Sequence, residues 1–285
     1  MLPLTTADGQ TVVQTVRPVA SYVGGKRVLA PEVIARINRT PHKTYAEPFV
    51  GMGGVFLRRT MRPRAEVIND ISQDVTTFFR ILQRHYAAFL EMLKFQLTTR
   101  AEFERLSKTD PATLTDLERA ARFLYLQNCA YGGKVSGRHF GVDPGSPGAF
   151  NVLKLVPMLD DVHERLAGVV IERLPWDDFI PRYDRPDVLF YLDPPYWGSE
   201  DYYGKNVFAR DDFTRLADVL RALQGRFLLS INDVPEIRDL FAWATVETVD
   251  ITYTVGGGGT TEPSTELIIS SPPPVRVLQP EQERG

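Results

Sequence analysis

The sequence predicts a doubly wound α/β fold built on a mostly parallel sheet. Three observations predict it: short apolar runs alternate with segments of helical periodicity, a glycine-rich turn follows an early run, and an Asp-Pro-Pro-Tyr turn follows a later one. Strands that alternate with helices pair in parallel, because each crossover returns the chain to the same end of the sheet. At 285 residues with 43% apolar content, the chain can bury a full α/β core and one smaller subdomain.

The early run, Thr44-Tyr-Ala-Glu47-Pro48-Phe49-Val50, reads as a strand that enters Gly51-Met52-Gly53-Gly54 and then a helix-like Val55 to Arg59. Glycines allow positive φ and close approach of a ligand to the backbone, and a helix starting there would offer unpaired amides to a carboxylate. The next apolar run, Ala65 to Asp70, ends in an acid 19 positions after Gly51. That is about the spacing at which a second strand brings a carboxylate to ribose hydroxyls, so a nucleoside is expected. Taken alone, the glycine turn is equally a tight βα connection. A third strand is expected over Gly168 to Leu174, followed by Pro175-Trp-Asp-Asp-Phe179. Asp178 and Phe179 form an acid–aromatic pair suited to an adenine ring, or else a helix N-cap with a packed phenylalanine.

The run Asp187 to Leu192 delivers Asp193-Pro194-Pro195-Tyr196 to a strand end. Two prolines remove two backbone donors and fix φ twice, which leaves carbonyl oxygens to face a ligand. Asp193 and the Pro194 carbonyl can accept both hydrogens of an exocyclic amine while Tyr196 stacks on the ring, an arrangement suited to a base taken out of its stack. The alternative is a plain strand-ending turn with a core tyrosine. The polar, aromatic stretch Trp197 to Gly204 follows and is suited to closing over such a base. Beyond it, Asp212 to Leu223 has helical spacing, strands are expected at Arg226 to Ile231, Thr245 to Thr254 and Thr265 to Ser270, and Gly256 to Gly259 reads as a hairpin loop. The proline-rich tail from Pro272 is expected to lack structure.

Between strands two and three, Val75 to Leu82, Tyr86 to Leu93 and Leu114 to Leu124 repeat apolar residues at helical spacing. A glycine-rich, basic, hairpin-like segment follows, Tyr131 to Gly141, which contains Lys134, Arg138 and His139 and leads to Phe150-Asn151. Cations and aromatics on flexible backbone suit groove reading, although the same composition also makes an ordinary surface hairpin. Arg58, Arg59, Arg62 and Arg64 are read chiefly as a solvated helix face, with DNA contact the lesser alternative.

A net charge of −3 argues against nonspecific coating of nucleic acid but leaves room for a local groove. One cysteine, Cys129, excludes an internal disulfide and a cysteine-based zinc cluster, and four histidines without paired spacing give no metal motif. Cys129 itself reads as a small buried residue of an amphipathic helix. No apolar stretch has the length of a membrane span and the first residues lack a basic region followed by an apolar core, so a cytoplasmic protein is expected.

Together with Tyr22-Val23-Gly24-Gly25-Lys26, these segments resemble the Dam-like (D12 class) family of DNA adenine-N6 methyltransferases, in family order and over most of the chain. The resemblance implies a class I methyltransferase (Rossmann-like) sheet with a terminal antiparallel hairpin, S-adenosyl-L-methionine as cofactor and double-stranded DNA as partner, with a monomer favoured. It implies catalysis by Asp193, Pro194, Pro195 and Tyr196. It also implies cofactor contacts from Tyr22, Gly25, Lys26, Glu47, Pro48, Phe49, Gly51, Gly53, Asp70, Asp178, Phe179 and Asp193, with Lys26 pairing with the methionine carboxylate. The family's target-recognition domain, a helical bundle carrying a β-hairpin, falls on residues 86–150, within a catalytic domain of residues 1–85 and 151–285, and makes Lys134, Arg138 and Asn151 the DNA contacts. Two positions depart from the family: Tyr22 stands where tryptophan is usual, and the loop reads Gly-Met-Gly-Gly. An amine of RNA or cytosine N4 would fit the same turn, and a DNA-binding homologue without turnover is the non-enzymatic alternative.

Overall fold

A computed structural model describes residues 9–22, 24–130, 137–141, 145, 148–200, 207–255 and 260–272, of which 252–255 and 260–264 are described by backbone alone. Lys134, residues 201–204, Gly256 to Gly259 and the tail from residue 273 lie outside the described residues. In chain order the elements are β1 (Thr11–Val12), α1 (Ala30–Arg39), β2 (Thr44–Glu47), β3 (Met61–Arg62), β4 (Ala65–Asn69), α2 (Gln73–Arg84), α3 (Tyr86–Leu93), α4 (Arg100–Lys108) and α5 (Asp116–Cys129). They continue with α6 (Val152–Arg165), β5 (Val170–Glu172), α7 (Trp176–Tyr183), β6 (Val188–Leu192), α8 (Arg210–Arg221), β7 (Arg226–Asn232), α9 (Pro235–Leu240), β8 (Thr245–Val255) and β9 (Thr260–Ser270).

Seven strands form the main sheet in the order β5-β4-β2-β6-β7-β9-β8. The first five are parallel, while β9 runs antiparallel to both β7 and β8, so the expected terminal reversal is present. Side chains that alternate along each strand enter two separate cores. Tyr45, Ile68, Leu189, Tyr191, Leu228 and Ile268 join one, and Ala46, Val67, Phe190, Leu192, Leu229 and Leu267 join the other. Helices cover both faces, which is why β6 is a continuous apolar run rather than an alternating one.

The helices start where their caps dictate. Thr115 and Glu118 close a capping box on α5, Thr99 caps α4, and Ser72 caps α2. α3 and α5 pack onto α2, and α4 packs onto α5, so these helices extend the main core rather than enclose one of their own. Phe78 of α2 meets Phe89 at 6.1 Å and Phe123 at 5.9 Å, within the same core that contains Tyr45 and Tyr191 of the sheet. Cys129 is buried at the end of α5. At the base of the expected hairpin, Ala130 and Phe140 form an antiparallel bridge. No helix among the described residues is long and apolar enough to cross a membrane.

Two expectations are corrected here. The glycine turn leads into a three-residue 3-10 turn, Phe56–Arg58, instead of an α-helix. The chain must turn at once into β3, and a single turn presents no row of unpaired amides. The arginines after it are not one solvated face either. Arg59 is fully buried, 2.8 Å from Glu66 with its guanidinium 3.8 Å from the Tyr45 ring centroid, and Arg165 of α6 grips the same carboxylate at 2.6 Å and 2.7 Å. Arg58 donates to the Gly54 carbonyl at 2.7 Å.

Glu66 therefore serves two buried cations, and its loss strands both. Glu66→Ala is expected to destabilise the fold by about 3–5 kcal/mol, read as a lower urea midpoint. A variant within about 0.5 kcal/mol of the parent would contradict this account.

Candidate active site

The chain leaves β2, builds β4 and β5 on one side, and returns to place β6 on the other. β2 and β6 thus flank the point where strand order reverses, and the crevice beyond their carboxyl ends is where such sheets bind ligands. A cavity of about 1040 Å³ opens there, lined by Tyr22, Gly25, Lys26, Glu47, Pro48, Phe49, Gly51, Asp70, Asp193 and Pro195 among others.

The loop after β2 is set by two glycines and one asparagine. Gly51 has φ of +50°, and a Cβ there would lie 3.1 Å from the Tyr22 ring; Gly53 has φ of +76°, and a Cβ there would meet Leu57 at 2.8 Å. Asn69 at the end of β4 donates to the carbonyls of Pro48 at 2.9 Å and Leu174 at 3.0 Å, and accepts from the Leu174 amide at 2.8 Å. Its one side chain ties the ends of β2, β4 and β5 together. Next in sequence, Asp70 accepts the Gly51 and Ser72 amides at 2.9 Å each. Burial raises its pKa to about 6, against the lowering effect of those two bonds. Glu47 is buried and accepts the Tyr45 hydroxyl at 2.6 Å. Burial first, and Asp193 among the lesser causes, push its carboxyl up to about 8, so it holds a proton at neutral pH.

The loop after β6 carries Asp193. Its carboxylate lies 2.9 Å from the Lys26 ammonium and accepts the Ser230 hydroxyl at 3.4 Å. Burial raises its pKa to about 6, Lys26 opposes the rise, and Glu266 adds to it. Tyr196 accepts from Lys26 and donates to Glu266 of β9. Asn232 at the end of β7 holds the next residue, accepting the Trp197 amide at 2.9 Å and donating to its carbonyl at 3.1 Å. Pro194 and Tyr196 sit beside the cavity without lining it.

Three sequence expectations change. Lys26 is 2% exposed and its ammonium is shared among Asp193, Tyr196 and Glu266, the last at 3.3 Å. An ammonium has three N–H donors, so in this arrangement Lys26 has none left for the methionine carboxylate. Phe179 lies in the second turn of α7 with its ring inward, 4.9 Å from that of Tyr183. Neither it nor Asp178 reaches the cavity, whose wall there is Trp176 and Asp177, because α7 begins at Trp176 and its first turn faces the crevice. Arg138 donates to Gln127 at 3.0 Å and is half-buried, so it is not a freely extended hairpin cation. Asn151 lines the cavity and caps α6. Sequence reasoning missed Asn69 and Asn232, at the ends of β4 and β7, and Glu266, inside β9 opposite Asn232, because only the register of the sheet brings them to the site.

A parallel sheet with this strand order, a reversed final strand and a cavity at its switch point is that of a Rossmann-like, class I methyltransferase. Residues 22–255 match the D12 class N6 adenine-specific DNA methyltransferase family, and the chain belongs to it. The chain is 24% identical to the type II methyltransferase M1.LlaDCHI of Lactococcus lactis subsp. cremoris over 90% of this chain and 95% of that one. It is 25% identical to a DNA adenine methylase of Haemophilus influenzae, covering 82% of this chain and 86% of that one. A third relative, the type II methyltransferase M.CviBI of Paramecium bursaria Chlorella virus NC1A, is 21% identical over 79% of this chain and 86% of its own. The protein is thus an adenine-specific DNA methyltransferase.

The raised pKa of Glu47 makes a stability prediction. The folded chain keeps a proton that the unfolded chain releases, so stability falls as pH rises from about 4.5 to about 8 and levels off above that. Glu47→Gln keeps an acceptor for Tyr45 and removes that slope. The variant should match the parent near pH 4.5 and exceed it at pH 8, by urea unfolding at both; a parent that gains stability across this window relative to the variant would overturn the assignment.

Proposed function

We propose that methyl transfer runs from S-adenosyl-L-methionine to the N6 amine of an adenine flipped out of double-stranded DNA, with the Asp193 to Tyr196 loop as the catalytic element. The observation that carries this reading is that the Asp193 carboxylate and the Gly51–Asp70 cradle share the wall of one cavity.

The residues present suit the cofactor. A side chain at Gly51 would crowd the Tyr22 ring, so the backbone stays open to a ligand, and each Asp70 oxygen, already accepting one amide, retains a lone pair for ribose hydroxyls. Glu47, Pro48, Phe49 and Trp176 border the remainder, with Phe49 in edge contact with Phe208 at 6.0 Å. When bound, the cofactor supplies an electrophilic methyl group on a sulfonium.

Adenine N6 is a poor nucleophile because its lone pair is delocalised into the ring. Asp193 and the Pro194 carbonyl accept its two hydrogens and favour a pyramidal nitrogen, while Pro195 keeps the turn rigid and Tyr196 stacks on the base. A strong base is unnecessary, since the N6 proton becomes acidic once the methyl has transferred and then leaves to solvent. Residues 86–150 serve target recognition, with Lys134, Arg138 and Asn151 as the DNA contacts; Asn151 lines the cavity itself.

Tritiated methyl transfer to duplex DNA, with nucleoside analysis, should yield N6-methyldeoxyadenosine. Asp193→Ala should lower the rate by roughly a thousandfold while cofactor affinity stays within a few-fold; near-normal transfer by this variant would refute the mechanism. Because the ionised carboxylate is the better acceptor, single-turnover rates of the parent should fall as pH drops through about 6. A rate independent of pH across that range would remove Asp193 ionisation from the mechanism.

A further inference from the structure

Glu266 is 1% exposed, on β9 between β7 and β8, and the established activity gives it no task. It stands directly opposite Asn232 in the β7–β9 ladder. Opposed residues of an antiparallel pair project to the same face. This pair grips two consecutive residues of the catalytic loop: Glu266 accepts the Tyr196 hydroxyl, and Asn232 takes both the amide and the carbonyl of Trp197. Glu266 also lies 3.3 Å from the Lys26 ammonium, whose other partners are Asp193 and Tyr196. Holding a carboxylate out of water is costly, so a buried Glu266 is retained for what it orients.

We propose that Glu266 is a positioning residue for methyl transfer: from the last strand it fixes the Tyr196 phenol and the Lys26 ammonium, and through them the carboxylate that meets the target amine. The assignment rests on the reading of Asp193 and Tyr196 above. With Asp193 ionised, two carboxylates share one ammonium. Among the described residues, the charged and titratable neighbours of this cluster are Lys26, Asp193, Tyr196, Tyr191 and, on β2, Glu47, with the Ser230 hydroxyl at Asp193. The Glu266 charge opposes ionisation of Asp193, and Lys26 divides its attraction between the two acids. Neutralising Glu266 removes the repulsion and leaves Lys26 to Asp193, and both changes favour the ionised form of Asp193.

Glu266→Gln is the deciding variant, because its amide oxygen still accepts the Tyr196 hydroxyl while the charge is gone. In single-turnover methylation of duplex DNA, the acid limb of its pH–rate profile should lie at least about half a pH unit below that of the parent. Glu266→Ala should slow single turnover at neutral pH by about tenfold or more and raise the half-saturating DNA concentration. Tyr196→Phe keeps the ring and loses the hydroxyl, so the Glu266→Ala/Tyr196→Phe double variant should be no slower than Glu266→Ala alone. An acid limb unmoved in Glu266→Gln, or single-variant losses that multiply in the double variant, overturns the role of Glu266. Asp193→Ala, assayed in parallel, separates the two levels. If it is inactive while the Glu266 variants behave as the parent, only this inference fails; if it retains transfer, the parent reading fails as well.

Discussion

The Lys26 ammonium joins three distant parts of the chain. It bonds Asp193 on the loop after β6, Tyr196 three residues later and Glu266 on β9, which lies 240 positions from it in sequence. An ion pair at 4 Å is worth roughly 4 kcal/mol in the effective medium of a protein, but burying its members costs a similar amount. The arrangement therefore contributes little net stability and a good deal of geometric definition. Without the ammonium, the buried Glu266 carboxylate and the half-buried Asp193 carboxylate would repel each other, and the first response would be for one to take up a proton. The position of the loop after β6 and the charge on its aspartate consequently depend on one residue in the segment before α1.

Three carboxyls at this end of the sheet, Glu47, Asp70 and Asp193, have raised pKa values, and burial is the leading cause for each. They differ in what opposes it. Asp70 has two backbone amides, Asp193 has chiefly the Lys26 ammonium, and Glu47 has chiefly the Tyr45 phenol with smaller help from Arg59 and Arg165; the values stand at about 6, about 6 and about 8. At neutral pH this leaves Glu47 protonated and the other two ionised. The wall thus has a neutral acid under the glycine loop and charged acids on either side, a sorting made by hydrogen-bond partners rather than by residue type. Such burial lowers stability above pH 4 and is retained where groups must be held ready for a ligand.

Much of this architecture was legible in the sequence because it is local. The apolar run before Asp193 and the glycines after Phe49 declare strand ends by composition alone, and the acid 19 positions past Gly51 lies where a second strand must end. The resemblance supplied the reversed final strand, which periodicity alone could not. What remained hidden depends on register. Arg59 looks like its exposed neighbours until Glu66 and Arg165 are brought against it. Lys26 sits in a segment that suggests ligand binding, and its real partners come from β6 and β9. Phe179 matched a pattern, yet the start of α7 at Trp176 turns it into the core. Glu266 occupies a strand whose sequence shows only alternation, and nothing nearby marks it as part of a site.

The helical insertion and the cavity are linked by a continuous packed path. α3 and α5 press Phe89 and Phe123 onto Phe78 of α2. The N-cap of α2 is Ser72, whose amide is bound by Asp70, and Asp70 in turn holds the Gly51 amide. Every link is a packed aromatic contact, a helix cap or a hydrogen bond to a backbone amide. A chain of such contacts transmits position, so α3, α5 and the cradle at Gly51 are placed relative to one another by the same core that stabilises the sheet.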